Sequence, residues 1–196
     1  MSSPPPTESP PRLRLGILLS GTGRTLVNLS DRIAAGSLAA EIALVISDRP
    51  DVVGLHRAHA LGHPTAVTRE ASATFDLLRE HRVDLVCLAG YLRLLPIPED
   101  FAGRVLNIHP SLLPKFGGRG MYGHHVHEAV LAAHERESGC TVHLCDDQYD
   151  HGTVLLQRRV PVLPGDDADK LAARVFAAEC EAYPAAIAAW VSRVAG

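Results

Sequence analysis

Asn107 and His109 stand two residues apart at the end of the apolar run Val105-Leu106-Asn107-Ile108-His109, just before a turn bounded by Pro110 and Pro114. Side chains at i and i+2 of a strand share a face. A carboxamide and an imidazole therefore project together at the strand's carboxyl end, where open α/β sheets place their chemistry. A carboxamide that donates a hydrogen bond, beside an imidazole that moves a proton, suits acyl-group transfer. The plainer alternative is a polar turn with a structural histidine. Against it, the two prolines freeze the backbone after the pair, as a preorganised site requires.

Three other stretches carry chemistry-bearing residues. Ser20-Gly21-Thr22-Gly23-Arg24-Thr25 follows one apolar run and precedes a helical pattern. Backbone N–H groups and the helix dipole at such a junction favour an anion. Gly21 and Gly23 permit close approach, Arg24 adds charge and Thr25 a hydroxyl. The stretch is neither a full GxGxxG, since position 26 is Leu, nor a P-loop, since the lysine is absent. A tight turn with a helix cap competes with phosphate binding. Asp146, Asp147 and Asp150 form an acidic turn before His151-Gly152. Such residues suit a solvated β-turn, but one carboxylate reaching His109 would orient the ring and raise its pKa. Spacing does not choose among the three. The run from Gly117 to His127 holds four glycines and three histidines. On a helix His124 and His127 share a face and His125 points away. With no HExxH and no acid or cysteine at ligand spacing, a substrate-contacting loop is favoured over a metal site.

The elements that position these residues alternate. Leu13–Leu19 predicts a buried strand, Leu26–Ala35 a helix ending near Gly36, Glu41–Ile46 a strand, and Val53–Leu61 a helix closed by Gly62. A short strand follows at Thr65–Val67, a helix at Phe75–His81, an apolar fourth strand at Val83–Ala89 and a fifth at Val105–Ile108. Strand–helix alternation of this kind predicts an α/β, Rossmann-like, mostly parallel sheet covered by helices on both faces. After a helix at His124–His134 the pattern changes. Thr141–Leu144 and Val154–Val160 read as antiparallel strands added at the sheet edge, joined by a turn at Asp150-His151-Gly152. A long Ala-rich helix, Asp166–Val194, closes the chain with a break expected near Pro184.

A length of 196 residues predicts one domain, residues 13–196, behind a Pro- and Ser-rich tail, residues 1–12, that reads as disordered. The net charge of −3, without runs of like charge, gives no support for a nucleic-acid surface. No apolar stretch has membrane-spanning length and the N-terminus lacks an apolar signal core, so a cytoplasmic location is expected. Four cysteines without a CxxC pair read as free thiols.

Taken together, the motifs resemble the phosphoribosylglycinamide formyltransferase family of folate-dependent enzymes. The resemblance runs from about Leu13 to Trp190. It is carried, in order, by Ser20-Gly21-x-Gly23, by Leu88-Ala89-Gly90-Tyr91-Leu92-Arg93-Leu94-Leu95, by Asn107-x-His109-Pro110-Ser111-Leu112-Leu113-Pro114, and by Asp150-x-Gly152. The third motif marks folate-dependent formyltransferases in general. Within them, the related methionyl-tRNA enzymes carry an added C-terminal domain and the formyltetrahydrofolate hydrolases an N-terminal one.

The resemblance implies transfer of a formyl group from 10-formyltetrahydrofolate to N1-(5-phosphoribosyl)glycinamide in purine biosynthesis. Formyltetrahydrofolate hydrolysis or another folate-dependent transfer is the alternative. It implies Asn107, His109 and Asp150 as catalytic residues, and Gly23, Arg24, Thr25 and Glu179 at the ribonucleotide. It implies Arg69, Leu92, Arg93, Leu94, Leu95, Asn107, Asp146 and Asp147 at the folate. No metal is implied, the partners are the two small molecules rather than nucleic acid or membrane, and the assembly is a monomer or homodimer. Two departures stand out. Arg24-Thr25 replaces the commoner Ser-Asn, and the loop after Lys115 is longer and richer in Gly and His, so that His125 and His127 both match the family's loop histidine.

Overall fold

The computed structural model describes residues 12–194. The expected tail at residues 1–12 lies almost wholly outside that range. The chain runs β1 (Leu13–Leu19), α1 (Arg24–Ala34), β2 (Ala40–Ser47), α2 (Val53–Ala60), β3 (Thr65–Val67), α3 (Ala71–Glu80), β4 (Leu85–Leu88) and β5 (Val105–His109). It continues with α4 (His124–Ala132), β6 (Glu137–Leu144), β7 (Val154–Pro161) and α5 (Ala168–Val194). The seven strands form one sheet in the order β3-β2-β1-β4-β5-β6-β7. The first five are mutually parallel, and β6 and β7 pair antiparallel. The mostly parallel α/β sheet with antiparallel strands at its C-terminal side is the arrangement the alternation predicted.

Both faces of the sheet are buried, which explains the unbroken apolar runs. Leu15, Ile17 and Leu19 of β1, with Leu85, Cys87 and Leu106, pack toward α1 and α5. Leu18, Leu44, Ile46, Val86 and Val105 pack on the other side with Phe75 and Leu78 of α3. The two-residue strand period thus sorts each strand between two cores. All four cysteines are free.

β1 lies between β2 and β4, so the connections leaving β1 and β4 turn to opposite sides. A crevice opens at such a switch point beyond the strands' carboxyl ends.

α5 departs from expectation. It runs unbroken for 27 residues with Pro184 inside it. Proline lacks the N–H that would bond the carbonyl four residues back. That carbonyl, on Cys180, instead accepts from Asn28 Nδ2 of α1 at 3.1 Å and from Arg32 at 3.4 Å. A neighbouring helix thus supplies the missing donor. Just before the proline, the buried Tyr183 hydroxyl sits 3.0 Å from the carbonyls of both Leu88 and Leu106. Trp190 donates to Gly103 O at 2.8 Å. The Tyr183 bonds seat α5 against β4 and β5, the strands that lead into the crevice, and the Trp190 bond ties its C-terminal part to the loop before β5.

Candidate active site

A single cavity of about 690 Å³ occupies the crevice. Its walls are the loop after β1, the segment after β4, the end of β5, the loop before α4, the loop after β6 and one face of α5. The motifs separated along the sequence therefore meet in one place.

Asn107 and His109 project into it from β5, as their spacing required. Among the three aspartates of the turn, Asp150 reaches both. Asn107 Nδ2 donates to Asp150 Oδ1 at 3.2 Å, and His109 Nδ1 lies 3.4 Å from Asp150 Oδ2. Gly118 N–H donates to the same Oδ2 at 2.9 Å, tying the Gly-rich loop to the carboxylate. Asp150 adopts φ 54, an uncommon backbone for a side-chain-bearing residue. The turn closes on Gly152, where a Cβ would stand 1.9 Å from Leu144 O, so only glycine fits. This gives the Asp150-x-Gly152 pattern a physical reason.

The electrostatics differ in one respect from the sequence expectation. Burial lowers the His109 pKa below its usual value, and the opposing pull of Asp150 and of the Phe116 carbonyl, 2.7 Å from Nε2, does not restore it. The expectation of a net rise is therefore corrected, because desolvation of a ring only 3% exposed outweighs its carboxylate neighbour. Burial raises Asp150, but its neighbours His143 and His109 and the Gly118 N–H more than reverse this and hold it below the ordinary carboxylate value.

His143 is the residue that sequence reasoning missed. It is buried on β6, directly opposite Asn107 in the antiparallel register. Its Nδ1 lies 2.9 Å from Leu144 O, a pure acceptor, and so carries the hydrogen. Nε2 then accepts from Asn107 Nδ2 at 3.2 Å and lies 3.6 Å from Asp150 Oδ1. A histidine inside the apolar strand Thr141–Leu144 was visible in the sequence, but the strand register that sets it against Asn107 was not.

The first loop lies at the other end of the cavity. Gly23 is the N-cap of α1 with φ 69, and a Cβ there would come within 2.7 Å of Gly54 Cα. Gly23, Arg24 and Thr25 line the wall, with Glu179 of α5 facing the same space. Burial pushes the Glu179 carboxyl up to about 7, against the pull of Arg24.

Leu92, Arg93, Leu94 and Leu95 line the cavity between the two ends. Their backbone is pinned, Leu92 N donating to Ser20 Oγ at 3.1 Å and Leu94 N to Tyr149 Oη at 2.9 Å. Asp146 also lines the cavity. It pairs with His151 at 2.8 Å. Two predicted residues are not brought to the cavity wall. Arg69 spends its Nε on Asp48 O at 3.0 Å beside β3, and Asp147 lies outside the lining.

The histidine-rich run divides as its helical spacing predicted. His124 and His127 have ring centres 6.4 Å apart and both line the cavity, while His125 turns to Glu128 at 3.7 Å. His127 is buried with its Nδ1 unpartnered, and burial, then His124 and His109, lower it to about 4. Among the described residues no three His, Cys, Asp or Glu side chains are grouped to hold a metal ion. No described helix is long and apolar enough to cross a membrane.

A Rossmann-like sheet with an amide–imidazole–carboxylate cluster at its switch point defines a group-transfer enzyme of the α/β class. The chain belongs to the formyl transferase family, which matches residues 13–187. It is similar to the phosphoribosylglycinamide formyltransferase of Haemophilus influenzae, 36% identical over 89% of this chain and 85% of that protein. Solved structures of the Brucella melitensis phosphoribosylglycinamide formyltransferase (41% identity, TM-score 0.82, 90% of this chain and 94% of that one) share the fold. So does the glycinamide ribonucleotide transformylase 1 of Symbiobacterium toebii (39% identity, TM-score 0.82, 90% and 86%). The trifunctional purine biosynthetic protein adenosine-3 of Drosophila melanogaster is 43% identical over 94% of this chain, which spans 14% of that protein's length.

Proposed function

We propose that this chain transfers the formyl group of 10-formyltetrahydrofolate to the amino group of N1-(5-phosphoribosyl)glycinamide, a step of purine biosynthesis. One observation carries the reading. A single cavity joins an anion-receptive helix N-terminus to the Asn107–His109–Asp150 cluster, with an apolar, backbone-edged segment between them. The named relatives support the same reaction.

Gly23, Arg24 and Thr25 hold the phosphate of the ribonucleotide, and Glu179 accepts from its hydroxyls. The 91–95 backbone and the loop carrying Asp146 flank the folate ring. The folate donor supplies a carbonyl carbon already activated toward an amine. Attack of the amine places negative charge on the carbonyl oxygen and a surplus proton on the nitrogen. His109 stands at this point with its pKa held down, so at neutral pH it is largely neutral and free to accept that proton. Once charged, it is stabilised by Asp150 at 3.4 Å and returns the proton to the folate nitrogen as the tetrahedral intermediate collapses, which breaks the bond between that nitrogen and the formyl carbon and releases tetrahydrofolate. Asp150 thus favours the protonated ring where it is needed, without keeping it permanently charged. Asn107 is held by Asp150 and His143 beside the reacting carbon. No metal is assigned a role.

The test is a spectrophotometric assay of 10-formyltetrahydrofolate consumption with the ribonucleotide present. His109→Ala and Asp150→Ala should bind ribonucleotide yet lose most of kcat. Wild-type turnover in both variants rejects the assignment.

A further inference from the structure

Arg24 opens α1 on the cavity wall, and its guanidinium carbon lies 3.6 Å from the centre of the Phe176 ring on α5. The ring covers one face of the planar cation and leaves its edges, which carry the N–H donors, uncovered. Among the described residues no protein acceptor or carboxylate takes these donors, although Glu179 stands close enough for Arg24 to pull its carboxyl down. Both Arg24 and Phe176 line the cavity.

The stack is the first rung of a ladder. Residues 24, 28 and 32 share one face of α1. Asn28 bonds Cys180 O at 3.1 Å, one turn beyond Phe176 on α5. Arg32 reaches the same carbonyl at 3.4 Å and pairs with Glu181. The two lower rungs fix the register of α1 against α5, and the register holds the guanidinium over the ring. An exposed arginine otherwise samples many rotamers, and that freedom must be lost on binding.

We infer that Phe176 is a positioning residue that holds Arg24 as a preformed fork for the substrate phosphate, and so sets the preference for a phosphorylated acceptor. The identity of that acceptor rests on the formyl-transfer reading above; the clamp itself does not. Guanidinium edges bind phosphate through two parallel N–H bonds, which a freely rotating side chain forms at greater entropic cost.

The full chain is assayed as wild type, Phe176→Leu, Phe176→Tyr, Arg24→Gln and the Phe176→Leu/Arg24→Gln pair. Phe176→Leu raises KM for the ribonucleotide about tenfold, with kcat and the folate KM moving less than about twofold. Phe176→Tyr restores the wild-type KM. The double variant is no worse than Arg24→Gln, because the ring acts only through the arginine. Calorimetry with D-ribose 5-phosphate shows the same order of weakening, and D-ribose shows none. Phe176→Met carries the same test if the leucine variant does not fold. An unchanged KM and phosphate affinity in the truncated variants, additive losses in the pair, a tyrosine that fails to restore, or an equal fall in kcat overturns the clamp. A wild type that binds ribose 5-phosphate through Arg24 and Phe176 but does not formylate the ribonucleotide refutes the activity and leaves the clamp standing.

Discussion

Replacing Asp150 with Asn removes a charge while keeping the side chain's shape, and separates the carboxylate's electrostatic work from its packing. The 3.4 Å contact to His109 Nδ1 would be worth about 5 kcal/mol at an effective dielectric of about 20. That figure is a ceiling, because loop relaxation and water at the cavity mouth absorb much of it. A residual of ~1.4–2.8 kcal/mol corresponds to about one to two pKa units. The sign follows from the charges. Asp150 raises the His109 pKa against burial, so its neutral replacement lets that pKa fall further below the usual histidine value. Since the neutral ring must accept the amine's proton, the acid limb of kcat/KM follows the His109 pKa. In Asp150→Asn the limb should move down by about one to two pH units while the plateau falls about 10²- to 10³-fold, the loss expected when stabilisation of developing charge is removed. The assay is formyl transfer measured from pH 4.5 to 8.5, paired with an NMR titration of histidine-labelled protein. A limb that stays fixed or moves upward, or a plateau falling less than about threefold, would refute this reasoning.

Other variants probe the surrounding structure. Gly152→Ala forces a Cβ to within 1.9 Å of Leu144 O and should lower Tm by several degrees and abolish turnover, checked by thermal melting and assay. Asn28→Ala removes the shorter of the two hydrogen bonds to the Cys180 carbonyl freed by Pro184 and should destabilise by ~1–2 kcal/mol in urea titration. Glu179, raised to about 7 when folded, keeps its proton in the native state after the unfolded chain has lost it. Stability should therefore fall as pH rises from about 4.5 through 7, and Glu179→Gln should flatten that slope in melts taken across the range. His143→Phe removes the acceptor that steadies Asn107 and should lower kcat more than either KM, by about tenfold in steady-state assays.

The legible parts of the molecule were those encoded in short-range pattern. β3 was bounded at Thr65–Val67, and the antiparallel turn of β6 and β7 followed from Asp150-His151-Gly152. Asn107 and His109 were found because two residues of one strand must share a face. The sequence did not say which of three aspartates reaches the imidazole, since that depends on how the turn folds back from β6 and on the uncommon backbone at Asp150. It did not reveal His143, whose role exists only in the register of β5 against β6. Pro184 suggested a broken helix, because a local rule cannot see that Asn28, far away in sequence, replaces the lost donor. The sign of the His109 shift was missed for a related reason. A carboxylate partner is visible as a residue type, whereas the depth of burial that outweighs it is a property of the assembled fold.

The central claim is that the cavity brings a folate-borne formyl group to a phosphoribosyl amine. It is tested most directly by following 10-formyltetrahydrofolate loss with and without N1-(5-phosphoribosyl)glycinamide. The account predicts rapid, saturable consumption only when the ribonucleotide is present, with one formylated product per folate released. Consumption at the same rate without it, with formate as the product, would contradict the account and mark the protein as a hydrolase.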